Sequence, residues 1–130
     1  MRIIKQLHLL IIVILLTSCV QKKHLKTVTF KVDMTSVENP SHVGVRGNFT
    51  DNPWEETAPL TDENNDDIYE GTFSQETTAN LVEFKFVNQN SDYELKDSDN
   101  RRLLFEYKPE TIIYEAVFNN PEEKITKNKL

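Results

Sequence analysis

Cysteine is almost missing from this chain: 130 residues contain one, Cys19. A lone cysteine excludes any disulfide within the chain. Histidine is scarce too, and after residue 19 only His24 and His42 remain. No Gly-x-Ser-x-Gly sequence is present, so the nucleophile turn of serine hydrolases is absent. With no cysteine after residue 19, no serine motif and few imidazoles, the chain shows no catalytic constellation, and an enzyme is not expected. No apolar run reaches the roughly 20 residues of a membrane-spanning helix, and no stretch after residue 26 keeps helical periodicity. Cations are in deficit: 15 Lys and Arg face 21 Asp and Glu, a net charge of −6. This balance excludes nucleic acid and bare anionic surfaces as partners and favours neutral ligands.

What is present starts at the N-terminus. Arg2 and Lys5 precede an apolar run over 7–16, and Leu16-Thr17-Ser18-Cys19 closes it. A charged start, a short apolar stretch and small residues before a cut describe a secretory signal. The Leu-Thr-Ser-Cys ending resembles a bacterial lipobox. That resemblance implies removal of 1–18 and acylation of Cys19, which becomes the N-terminus and a thioether. Two or more acyl chains anchor stably, each buried CH2 contributing about 0.8 kcal/mol. Residues 19–26 read as a lipidated tether. The expected location is the cell envelope. Lys22-Lys23 differs from the acidic surface-export signals of some lipoproteins and points to the periplasmic side of the outer membrane.

Strand patterns fill the remainder. Val28, Phe30 and Val32 alternate with Thr29 and Lys31, and Val82, Phe84 and Phe86 alternate with Glu83 and Lys85. Period-2 alternation marks half-buried strands. Further strands are expected over 43–47, 68–73, 103–107 and 112–118. Polar or proline-containing turns separate them at 38–41, 48–59, 62–67, 91–100 and 109–110. Short strands at this spacing predict an all-β, antiparallel sandwich over 27–119, with 120–130 a flexible tail.

Two segments invite chemistry. Residues 62–67, Asp-Glu-Asn-Asn-Asp-Asp, cluster oxygen ligands of the kind calcium takes. The sixth position is Asp67 rather than glycine and the twelfth is Phe73 rather than Glu, so an EF-hand is rejected. No metal or cofactor is expected. Trp54 is the only tryptophan and lies in a loop between Pro53 and Glu55. It either plugs one end of the sandwich or offers a flat face to the C–H side of a sugar ring. If Phe84 and Phe86 face the core, Glu83 and Lys85 face out together, roughly 7 Å apart, a spacing suited to neighbouring hydroxyls.

The order of these pieces resembles a known family. Val43-Gly44-Val45-Arg46-Gly47-Asn48-Phe49 followed by Trp54-Glu55 looks like the glycine-to-tryptophan opening of starch-binding modules. Val82-Glu83-Phe84-Lys85-Phe86 resembles their Glu-Tyr-Lys-Phe strand. Asp92-Tyr93-Glu94 and Asp99-Asn100-Arg101 resemble their Trp-Glu and Asn-Arg segments. The chain is thus similar to family 20 starch-binding modules and their glycogen-binding relatives. The resemblance implies an immunoglobulin-like β-sandwich that binds α-glucan without chemistry. Trp54 would be one aromatic platform, Glu83 and Lys85 the polar pair, and Asn100 the amide. The second platform falls on Leu95 if no residues are inserted, or on Tyr93-Glu94 if two are. The other reading of the same sandwich is a scaffold that docks a protein partner in the envelope.

Overall fold

The computed structural model describes residues 3–4 and 20–128. Cys19 and most of the segment read as a secretory signal therefore lie outside the described residues. Nine strands follow: β1 (His24–Asp33), β2 (Gly44–Gly47), β3 (Ala58–Pro59), β4 (Ile68–Thr77), β5 (Leu81–Asn88), β6 (Asp92–Tyr93), β7 (Arg101–Leu104), β8 (Glu110–Val117) and β9 (Glu123–Asn128). Among the described residues no helix is long and apolar enough to cross a membrane.

The strands form two sheets. One has the order β4-β1-β8-β9; in the other, β3-β2-β5-β6, strand β7 also pairs with β5. The sheets face each other across one core. β1 turns Val28, Phe30 and Val32 inward, β5 supplies Val82, Phe84 and Phe86, and β8 supplies Ile112 and Tyr114. Branched and aromatic side chains at every second position suit a strand with one buried face. Phe30 lies at the centre, with ring centroids 4.9 Å from Phe84 and 6.2 Å from Tyr114. Every strand from β1 to β9, and every residue of this core, lies between His24 and Asn128. That segment thus carries its own core, as an independently folding domain does.

The all-β sandwich expected from the sequence is what forms, and besides the two-residue β3 and β6 inside expected turns it departs from the reading in four places. One pairing is parallel: β1 with β8, from Lys26↔Glu110 to Asp33↔Val117. These strands come from opposite ends of the chain, so the connection between them is long enough to allow it. Second, β1 starts at His24, inside the segment read as tether. Lys26 is buried there, its ammonium donating to Glu110 Oε2 at 2.8 Å, to Glu106 O at 2.6 Å and to Lys108 O. Third, the segment read as a flexible tail contains β9, paired with β8 over Glu123–Asn128. Its polar sequence holds because Tyr114 Oη donates to Glu123 and Lys127 donates to Glu110 Oε1 at 3.0 Å. Fourth, β7 stops at Leu104, and residues 105–109 turn away to cover the Lys26–Glu110 pair.

Candidate functional site

Alternation sends one set of side chains out of the five-stranded sheet. On β5 these are Glu83, Lys85 and Val87. The register puts Arg46 of β2 beside Lys85, Arg102 of β7 beside Glu83, and Tyr93 of β6 beside Val87. Residues 52–57 then fold back toward this face. Trp54 N–H donates to Gly47 O at 3.0 Å, which closes the loop, and Trp54 itself has a φ of 65°. That left-handed backbone is uncommon outside glycine. Thr57 rests where a side chain at position 44 would stand: a Cβ on Gly44 would meet Thr57 and Ala58 O, the latter at 2.6 Å. Glycine is needed here for close approach.

The loop brings Trp54 against Tyr93. Their ring centroids are 6.5 Å apart and their planes are inclined by 41°. Tyr93 Oη donates to Trp54 O at 2.9 Å. Arg46 ties the group together: its Nε donates to Thr57 Oγ1 at 2.7 Å, its Nη1 reaches Trp54 O at 3.4 Å, and its guanidinium lies 5.8 Å from the Tyr93 ring centre. Val87 is fully buried although it points outward, flanked by Gly44 and Tyr93. The result is a pair of half-buried rings on a backed sheet, edged by a guanidinium. Two inclined rings with polar groups at the margin can hold successive rings of a neutral ligand by their C–H faces.

The sequence-derived residues divide. Trp54 and Tyr93 are brought together. Glu83 stands on the same face, half-buried, with one partner, Arg102 Nε at 3.4 Å. Lys85 is on that face but already engaged: it is 8% exposed and donates to Leu95 O at 2.6 Å and Ser98 O at 3.0 Å. Its work is to hold the turn after β6. Glu94 points the other way from Tyr93 and is fully buried. It takes Arg101 Nε at 2.6 Å and Nη2 at 2.9 Å, and also the amides of Phe86 and Asn119. Burial alone would lower the Arg101 pKa; the bonds to Glu94 outweigh it and the value is raised. Glu94 is thus a buried ion-pair partner with no face toward a ligand.

Leu95 gives its carbonyl to Lys85 and its amide to Asn119 Oδ1, so its neighbourhood is the turn rather than the aromatic pair. Asn100 is exposed and borders a separate depression with Leu95, Ser98 and Arg102. Among the described residues no hydrogen bond joins Asn100 to Trp54 or Tyr93. Cys19, the expected lipidation site, is outside the described residues.

Sequence reasoning missed Arg46. The signal was available, because Val45 and Gly47 flank it and the β2 period turns it outward. The acidic turn at 62–67 satisfies itself. Asp62 accepts the amides of Asp66 and Asp67, and Asp66 accepts that of Ile68. The Ile68 amide holds the Asp66 carboxyl below its ordinary value. Among the described residues no group of three or more His, Cys, Asp or Glu is placed to hold a metal ion.

No family model matches this chain, and no curated protein matches it. Among solved structures the chain is similar to the CBM25-2 of beta/alpha-amylase from Paenibacillus polymyxa, determined in solution. The two share 13% identity over 82% of this chain and 96% of that one, with a TM-score of 0.49. A likeness of that size identifies neither family nor ligand.

Proposed function

We propose that this protein binds a neutral glycan of the α-glucan type without transforming it, while a lipid on Cys19 holds it at the cell envelope, on the periplasmic side of the outer membrane. The observation that carries the reading is the Trp54–Tyr93 pair, two rings inclined by 41° and fixed to each other through Tyr93 Oη. The inclination suits successive sugar rings of a curved chain. Arg46 stands at the margin as a donor for hydroxyls, and Glu83 lies further along the same face as an acceptor. Lys85 and Glu94 keep this face in shape from below and beside it. Few direct polar partners remain, so single-site affinity is weak, and display of many copies on a membrane raises it by multivalency.

The test is a titration of residues 20–130 with maltoheptaose and β-cyclodextrin while tryptophan emission is followed. Trp54 is the only tryptophan, so a saturable change reports that side chain. A folded protein with no change up to millimolar sugar rejects the reading. The second reading, a scaffold for an envelope protein, is favoured by β4. It ends its sheet, and among the described residues its outer edge is paired only at the bridge Thr61↔Glu70, which leaves it open to strand addition. Stoichiometric capture of one protein, unaffected by maltooligosaccharide, would select that reading.

A further inference from the structure

The two sheets are unequal in length. β4 runs on to Thr77, while β2, the strand across from it, stops at Gly47, level with Phe84 of β5. Below that level the loop 48–51 crosses in place of a strand, and the sandwich stays open beside β4. A cavity of about 230 Å³ results, with Phe30, Phe49, Phe73, Phe105, Val82 and Leu103 among its walls. It lies inside the loop whose later residues carry Trp54 on the opposite, outer face of the sheet. Neither Trp54 nor Tyr93 lines it.

We infer that this cavity is a binding site for the alkyl chain of an uncharged molecule. Four phenylalanine rings on the wall supply the apolar surface. Lys26 lines the cavity, but its ammonium donates to Glu106 O, Lys108 O and Glu110 Oε2. No proton is left over for a carboxylate. At the mouth Asp51 adds a negative charge, which repels anions, while Asn48, Thr50 and Gln75 offer neutral polar groups. Among the described residues the only buried side-chain polar atom without a partner is His24 Nε2, and His24 does not line this cavity. The interior therefore asks for no polar group from a ligand. An apolar cavity of about 150 Å³ takes benzene, so this volume suits a chain of about eight carbons. A hydroxyl head would remain among the polar groups of the mouth.

The experiment uses residues 20–130, which contain the whole core, titrated with n-octanol and with n-octanoate under NMR. Octanol should give saturable shifts at the ring signals of Phe49, Phe73 and Phe105, with Trp54 emission unchanged. Octanoate should bind more weakly. Gln75→Trp, at an exposed position of the mouth, should weaken octanol at least about tenfold. Glu76→Trp, on the opposite face of the same strand, should leave affinity unchanged. Both positions are exposed, so folding is preserved, and an unchanged amide spectrum checks it. Absence of saturable shifts up to the solubility of octanol overturns the site. Octanoate binding as tightly as octanol overturns the uncharged class. Equal affinity in Gln75→Trp overturns the placement. These outcomes leave the glycan reading untouched, because that reading depends on Trp54.

Discussion

The two outer faces of the sandwich obey the same alternation and end up unlike. On the four-stranded sheet, outward residues line up in rows across β4, β1, β8 and β9. One row is Ser74, Thr27, Thr111 and Asn128; the next is Thr72, Thr29, Ile113 and Thr126; a third alternates Glu70, Lys31, Glu115 and Lys124. These groups satisfy one another sideways. Thr27 and Thr29 share hydrogen bonds with Ser74 and Thr72, and Lys31–Glu70 and Lys124–Glu115 are ion pairs. On the five-stranded sheet the loop residues 52–57 fold back toward the surface and set Trp54 on Tyr93, and Val87 is buried between Gly44 and Tyr93. The difference does not come from the strands. It comes from a loop folded back over one face and from the buried charges that hold β6 and its turn in position. The rows of the first face are solvated and individually weak, whereas the second face is built on groups that have lost their water.

That contrast can be broken in several places. The largest effect is expected from Glu94→Ala, which leaves Arg101 buried without its partner and should remove about 3–5 kcal/mol of stability. Urea unfolding measures it. Trp54 emission should shift as well, because β6 carries both Glu94's neighbour Tyr93 and the contact to Trp54. Next comes Gly44→Val, which pushes against Thr57 and Ala58 O. Overpacking at this contact should cost about 1–3 kcal/mol, and the loop should lift, exposing Trp54 to quenching by acrylamide.

A pH profile reads out the buried Lys26–Glu110 pair. Burial alone would raise the Glu110 carboxyl, but its bonds to Lys26 and Lys127 outweigh this and hold it below its ordinary value of 4.5. A group lowered on folding adds stability that is complete above its unfolded value and is lost as pH falls through its folded value. Acid unfolding below 4.5 should therefore be blunted in Glu110→Gln, whose stability at neutral pH is lower from the start. Chemical denaturation at a series of pH values gives both quantities.

Smaller effects belong to the surface. Trp54→Ala should cost about 1 kcal/mol or less and abolish the response to maltoheptaose in calorimetry. A loss of several kcal/mol would mark Trp54 as a plug instead. Lys31→Ala on the opposite face should change stability by about 0–1 kcal/mol, within the scatter of a careful melt.

The strands with strong alternation were legible before any coordinates. The phenylalanines of β5 and the apolar set of β1 announce both their strands and their inner faces. β9 was not legible: Ile125 is its one large apolar residue, and Lys124 and Lys127 read as tail. Its stability rests on the preceding strand β8, through Tyr114 and Glu110. The start of β1 was hidden for the same reason, since Lys26 looks solvated until its three acceptors are seen. For the candidate site, period alone turned Glu83 outward, whereas Trp54 could be read only as a loop residue, with plug and platform both open. Glu94 was misplaced because β6 is two residues long, too short for a period to show which way a carboxylate turns. Lys85 was correctly outward, yet the carbonyls of Leu95 and Ser98 that claim it leave no mark in the sequence.

The parallel pairing of β1 with β8 bears on how the molecule carries load. β1 is flanked along nearly its full length, by β4 on one side and β8 on the other. Hydrogen bonds between strands run across the strand direction. A pull on the N-terminal end of β1 is therefore resisted by two ladders in shear, all rungs strained together, rather than by rungs that open one after another. Tension arriving through residues 20–23 would meet the molecule at a strand clamped from both sides.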